Sequence, residues 1–257
     1  MEIHVLIVTK KRTLFTFIIV LIIAAVTLVS LAFGGVIGAS AKEKRLIPIY
    51  SVAVDDGRIA LTFDCAWGST KTKRIMDEVE KYGYKCTFFA TGFWIDENQE
   101  LVKEIFSRGH QIGNHSENHP HLSKVDAETL GKEIDLVSAK IEALTGEKTT
   151  CFRAPFGEYD NRLMSALKER NTHCIQWSID SLDWKGIGGK EITERVVNRL
   201  KSGDIVLFHN DSDHVLDALP FVLVAVKNKG LNAVRVDELI YFEDYTVDGQ
   251  GKQIKNA

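Results

Sequence analysis

Hydrophobic and polar positions divide the chain into unlike regions. Residues 13–41 carry no charged side chain, and Leu14 to Phe33 is an almost unbroken run of Leu, Ile, Val, Phe and Ala. That run is close to the ~20 residues a helix needs to cross a bilayer. From Arg58 onward, short apolar runs alternate with amphipathic stretches. Residues 58–63, 85–91, 110–113, 149–152, 173–179, 204–208 and 232–235 read as strands. The stretches between them have helical spacing. In 69–82, Ile75, Met76 and Val79 share a face and Gly83 ends the helix. Asp96 with Gln99 has the pattern of a capping box ahead of Leu101, Val102, Ile105 and Phe106. Residues 126–144 form the clearest helix, with Leu130, Ile134, Val137, Ile141 and Leu144 in register and Gly146 behind them. Helices are expected at 161–170, 190–201 and 216–229, with a short one from Asp237, whereas 243–257 shows no periodicity.

About seven strand–helix units in succession imply a parallel sheet with helices outside it. A small or incomplete (β/α) barrel fits that count; an open doubly wound sheet is the alternative. No GxGxxG follows the first strand, so a dinucleotide fold has no support. The expected organisation is a cytoplasmic stub with a transmembrane anchor or signal sequence (1–41), a stem (42–57), one α/β domain (58–242) and a polar tail (243–257).

Composition adds limits. A chain of 257 residues that is 45% hydrophobic and 26% charged is not mainly disordered. Outside residues 1–41 there are 29 basic and 34 acidic side chains, so no basic domain offers itself to nucleic acid. No protein partner can be inferred. Lys10-Lys11-Arg12 ahead of the apolar run places the N-terminus in the cytoplasm and everything after residue 41 outside the cell membrane. Ala39-Ser40-Ala41 has the form of a cleavage site, which would make the product secreted. The apolar run exceeds the usual ~7–15-residue signal core, which favours an uncut anchor. The four cysteines form no CxxC pair. Cys86, Cys151 and Cys174 lie in strand-like runs as small hydrophobes, and a Cys151–Cys174 bridge stays open.

In parallel α/β folds chemistry gathers at the C-terminal ends of the strands. Those ends carry Asp64-Cys65-Ala66-Trp67, His115-Ser-Glu-Asn-His119, Arg153-Ala-Pro-Phe156-Gly157, Asp180-Ser-Leu-Asp183-Trp184 and His209. His115 and His119 are four apart, which on a helical turn sets two imidazoles on one side for a divalent metal. His121 reads as a solvated or packing residue.

Thr62-Phe63-Asp64, the HxxxH segment, Arg153-Ala-Pro-Phe-Gly157, Asp180 to Trp184 and Ile205 to His209 resemble, in order, the five motifs of polysaccharide deacetylases. These are the NodB-homology enzymes of carbohydrate esterase family 4. The resemblance runs over residues 58–242 and is nearest to the sporulation-type branch. It implies a distorted (β/α) barrel of about seven strands and metal-dependent removal of acetyl groups from an N-acetylated glycan, with peptidoglycan the expected substrate. Asp64 would be the general base, Arg153 its charge partner, His209 the general acid and Asp183 the partner of His209. His115 and His119 would hold the metal. The backbone N–H of Phe156 would meet the oxyanion, and Trp184 would wall the acetyl pocket. A silent glycan-binding protein or an O-acetyl esterase are the alternative readings.

One position departs from the pattern. The family has a second Asp as metal ligand where this chain has Cys65. A Cys65 thiolate beside two imidazoles would favour zinc over cobalt, manganese or nickel; otherwise Cys65 turns away, or the metal is lost. Trp67 stands where the family has a small, Gly-rich turn.

Overall fold

The computed structural model describes residues 13–28 and 44–256. The chain divides into two units after Lys44. In the first, residues 13–28 form a helix (α1) whose side chains are all exposed. Among the described residues no helix is long and apolar enough to cross a membrane. The basic triplet, residues 29–33 of the expected anchor and the Ala39-Ser40-Ala41 site lie outside the described residues.

The second unit holds the α/β domain. Its strands are β1 (Ser51–Val52), β2 (Arg58–Cys65), β3 (Thr87–Ala90), β4 (Gln111–Asn114), β5 (Cys151–Phe152), β6 (His173–Cys174), β7 (Ile179–Asp180), β8 (Ile205–His209), β9 (Asn232–Val234), β10 (Tyr245–Val247) and β11 (Lys252–Lys255). Its helices are α2 (Thr72–Glu80), α3 (Gly92–Glu97), α4 (Gln99–Ser107), α5 (Ala127–Thr145), α6 (Asn161–Glu169), α7 (Gly189–Val197), α8 (Val215–Asn228) and α9 (Val236–Leu239). The main sheet has the order β6-β5-β4-β3-β2-β8-β7, with β9 also on β2, and its ladders are parallel.

The run 173–179, expected as one strand, is two. β6 and β7 occupy opposite ends of the sheet path. Five residue steps of extended chain reach at most about 17 Å, so the two edges must curl towards each other. The result is an incomplete barrel rather than an open sheet. Ile49 enters the seam: its N–H donates to the Cys174 carbonyl (2.9 Å), and its carbonyl accepts from Gln176 N (2.7 Å). Ile49 and Val52 are buried. Residues 45–52, expected as part of a stem, are therefore integral to the domain.

The expected polar tail also folds. β10 and β11 pair as an antiparallel hairpin, and β11 lies parallel to β1. Gln253 is the reason: buried, it accepts from Tyr241 N (2.9 Å) and donates to the Tyr241 carbonyl (2.6 Å). A single buried amide leaves no hydrophobic period to read.

The helix 126–144 appears as expected. Asp126 caps α5 by accepting from Thr129 N (2.7 Å), and Gly146 takes the left-handed conformation (φ 78°) that closes it. The Asp96–Gln99 capping box does not form. Instead Thr91 caps α3 by accepting from Trp94 N (3.3 Å), and a second helix starts after Asn98.

β2 is the central strand, and its two faces meet different surroundings. Ile59, Leu61, Phe63 and Cys65 join the core beneath α2, α7 and α8, with Ile75, Met76, Val196 and Val222. Ala60 faces the interior with Phe89, Cys151, Ile175 and Ile205. The period-2 alternation of a strand produces this division. All four cysteines are free and buried, so Cys151 and Cys174 do not bridge.

Candidate functional site

Register brings the functional strand ends together. Asp64 is the Cα partner of His209 on β8 and of Phe89 on β3, and Asn114, just before His115, pairs with Phe152, just before Arg153. The expected groups at the ends of β2, β4, β5 and β8, with the turn after β7, thus share one rim.

Arg153 is fully buried, and the fold uses every face of its guanidinium. It donates to Asp64 Oδ1 (2.7 Å), Thr62 Oγ1 (2.8 Å) and the carbonyls of Ile175 (3.3 Å) and Gln176 (3.2 Å). Its plane lies over the Phe89 ring (4.1 Å to the centroid). One side chain thereby ties the seam of the barrel to the carboxylate of Asp64. Burial pushes the Asp64 pKa up, but the charge of Arg153, with His209 behind it, outweighs burial and holds the carboxyl below its ordinary range. Asp64 is an anion with one oxygen anchored and the other, Oδ2, facing the site.

Asp183 is buried and receives three donors: His209 N, His209 Nδ1 and Ser212 Oγ, each at 2.8 Å. Burial lowers the His209 pKa; the hydrogen bond and charge of Asp183 override it and leave His209 above its ordinary value. The Nδ1 bond directs Nε2 of His209 away from Asp183 as the available proton donor.

The two metal-candidate histidines meet as expected, by an unexpected route. Their rings lie edge to face, 4.9 Å apart. No helical turn joins them: residues 115–119 are loop, with Ser116 (φ 68°) and His119 (φ 54°) left-handed. Many hydrogen bonds hold that loop, three of them to the side chains of Asn114 and Glu133. Ser116 N donates to Asn114 Oδ1 (2.8 Å), and both Asn118 N and Asn118 Nδ2 donate to the buried Glu133 carboxylate on α5 (2.8 Å each).

His115 Nδ1 lies 2.8 Å from the Arg153 carbonyl, which assigns the proton to Nδ1 and the lone pair to Nε2. That Nε2 faces Asp64 Oδ2 at 3.5 Å. Burial pushes the His115 pKa down, so the ring is neutral and two acceptors confront each other. Burial with the neighbouring His115 pushes His119 down to about 4. Two neutral imidazoles beside a carboxylate are donors that suit a divalent cation.

Cys65 does not belong to this set. It points into the helix-facing core, its thiol 3.7 Å from the Phe63 carbonyl. Burial, then the charge of Asp64, pushes the thiol pKa well up, the opposite of what a thiolate ligand needs. Among the described residues no three His, Cys, Asp or Glu side chains form a ready-made metal cluster. The cause is strand alternation: when Asp64 faces the interior, Cys65 faces outward.

Phe156 (φ 59°) and Trp184 stand exposed at the rim, with Lys185 Nζ 5.0 Å from the Trp184 ring centre. His121 stacks on Phe156 (4.4 Å, 18°) and pairs with Glu158 (2.9 Å), a packing residue as expected. The sequence motifs include Thr62 without assigning it a role, and they point to neither Ser212 nor Glu133. Thr62 had one available signal, since it lies two before Asp64 and so shares its face; the other two act across the fold and carry none.

A separate cavity of about 260 Å³ lies at the other ends of β4 and β5, against His110, Gln111, Thr149, Arg235 and Asp237. It is remote from the rim described above.

Comparison with known proteins agrees with this layout. The polysaccharide deacetylase family model matches residues 51–175. The chain is 35% identical to a peptidoglycan-N-acetylglucosamine deacetylase of Bacillus cereus, over 72% of this chain and 89% of that one. It is 30% identical to the uncharacterized protein YlxY of Bacillus subtilis over 75% of its own length, and spans 60% of that relative. Among solved structures it resembles BA3943 of Bacillus anthracis, described as a CE4 family pseudoenzyme, with 26% identity and a TM-score of 0.72 over 82% of this chain and 73% of that one.

Proposed function

The chain belongs to the polysaccharide deacetylase family, and from that premise we propose that it hydrolyses N-acetyl groups of a cell-wall glycan, peptidoglycan, and releases acetate. The observation that carries the reading is the pairing of an ionised base with a protonated acid at one rim: Asp64 on Arg153, and His209 on Asp183.

An amide is a poor electrophile and an amine a poor leaving group, so the reaction needs help at both ends. Asp64 Oδ2 takes the proton of the attacking water. Arg153 keeps Oδ1 fixed, so the carboxylate does not rotate away from that water. The oxyanion forms beside the backbone N–H of Phe156, a left-handed residue whose ring lies 4.6 Å from His119. His209 Nε2 gives its proton to the departing nitrogen, and Asp183 stabilises the imidazolium until then. Trp184 borders the acetyl side. His115 and His119 would hold a divalent cation, zinc by ligand type, with Asp64 alongside. When bound, such a cation supplies Lewis-acid polarisation of the acetamide and lowers the pKa of water.

The domain works outside the cytoplasm, held by residues 14–33 in the cell membrane. The basic triplet ahead of the uncharged apolar run supports that reading. Resemblance to the sporulation-type branch supports a role around sporulation and cell-wall remodelling. Acetate release from purified peptidoglycan, against O-acetylated xylan as control, tests the reaction; recovery in washed membranes tests the anchor.

A second reading has a specific basis. Cys65 leaves the metal with one protein ligand fewer than the family pattern, and a pseudoenzyme is among the similar structures. A silent glycan binder would bind peptidoglycan and release no acetate at any zinc or cobalt concentration.

A further inference from the structure

The rim displays more aromatic surface than the reaction employs. Trp67, in the loop between β2 and α2, is 70% exposed. Its ring lies 5.3 Å from His119, edge to face, and 6.2 Å from Phe93. Across His119, the Phe156 ring lies at 4.6 Å, and His121 stacks on Phe156. The rings of Phe93, Trp67, His119, Phe156 and His121 therefore form one continuous strip through the reaction centre.

The turn that presents Trp67 is firmly held. The Gly68 carbonyl accepts from Trp94 Nε1 (2.7 Å) and Asn210 Nδ2 (2.9 Å), and the Cys65 carbonyl accepts from Thr91 N (3.0 Å). Gly68 is left-handed (φ 67°), and a Cβ there would fall 1.9 Å from an Asp211 carboxylate oxygen. A side chain there would have to displace Asp211 in a left-handed backbone, so glycine suits the turn, and the carbonyl bonds of Gly68 and Cys65 set the indole between them in place. A large apolar ring kept in water on a rigid support beside reacting groups is a binding surface, because the fold gains nothing from its exposure.

The occupant follows from chemistry and continuity. A pyranose ring has an apolar face of axial C–H bonds and a polar edge of hydroxyls. An aromatic face covers the first and leaves the second in water. Trp67 lies one ring away from His119, where the reacting sugar must sit. We propose that Trp67, backed by Phe93, is a subsite for the pyranose next to the one that loses its acetyl group. The chain then reads its glycan over at least two sugar units. This inference rests on the deacetylase reading above.

The test is calorimetric binding of N-acetylglucosamine and its β-1,4 oligomers, one to five units long, to chelator-treated full-length protein and to its Trp67→Ala and Trp67→Phe variants. The expected result is wild-type affinity that rises from monomer to oligomer. Trp67→Ala loses roughly 3- to 10-fold on oligomers and little on the monomer, and Trp67→Phe keeps most of the gain. With zinc present, the Trp67→Ala loss on oligomers falls on KM. Equal binding of oligomers by wild type and Trp67→Ala overturns the subsite, while acetate release by the wild type still upholds the reaction. Length-dependent binding through Trp67 with no acetate released supports the subsite and sinks the reaction instead. Quenching of Trp67 by vesicles of brominated lipid, with unchanged oligomer binding in Trp67→Ala, overturns the subsite in favour of a lipid contact.

Discussion

Asp64 and Cys65 are adjacent in the chain and face opposite sides of β2, one towards Arg153 and the other into the core under the helices. Replacement of Cys65 by Ala therefore leaves zinc affinity unchanged. It removes one buried sulfur and costs about 1 kcal/mol of stability. A chelator-competition titration and a denaturant melt check the two halves. A tenfold loss of zinc affinity would mean that the thiol ligates.

Replacement of Asp64 by Asn removes the proposed base and leaves the Arg153 guanidinium buried without a counter-charge. Acetate release falls by roughly 10²–10⁴-fold, and the fold loses on the order of 3–5 kcal/mol. Thermal melts beside rate measurements separate the two effects. The Asp64 pKa is depressed in the folded state. Its contribution is therefore complete above the unfolded value of about 3.9 and disappears as the pH falls through the folded one.

In the proposed reaction His209 acts while protonated, so activity is expected to fall as the pH rises through its raised pKa. Asp183→Asn removes the charge that raises it, and the alkaline limb of the kcat/KM profile moves to lower pH. The direction is fixed, because loss of an anion always disfavours the imidazolium. A limb that stays in place would show that another group sets it.

Glu133 lies on α5 and never meets the substrate, yet both of its oxygens hold Asn118, next to His119. Glu133→Ala frees the loop that keeps His119 left-handed. Zinc affinity falls roughly 10- to 100-fold, in the range of other outer-shell losses. Glu133→Gln keeps one acceptor oxygen and recovers part of it. A chelator titration reads both variants without reference to turnover.

The hairpin of β10 and β11 closes on β1 through Gln253. Truncation after Glu243 leaves Val52 and the Tyr241 backbone uncovered and lowers the melting temperature of the domain by several degrees, about 1–3 kcal/mol for the lost buried bonds. An unchanged melt would show that the tail is an accessory.

Much of this was legible along the chain. The spacing of Leu130, Ile134, Val137 and Ile141 is local, and α5 appears where it is expected. The alternation of Arg58 to Phe63 marks β2, and the groups at the ends of β2, β4, β5 and β8 form a set by their positions at strand ends. The split of residues 173–179 was not legible, because it depends on which edge each half joins. Neither was the hairpin at the C-terminus, in which Gln253 is the one buried polar side chain.

Sequence by itself determined the repeating order of strand and helix and the chemical types at the rim, since periodicity and side-chain chemistry are properties of neighbours. Tertiary structure alone decided that Arg153 would join Asp64 to the seam of the barrel, that a loop and not a helical turn would pair His115 with His119, and that Cys65 would be turned from both. Those outcomes depend on the closure of the sheet, which brings together groups as far apart in the chain as Asp64 and Arg153. A strand fixes only that its successive side chains alternate; the assembled barrel fixes which of them looks inward.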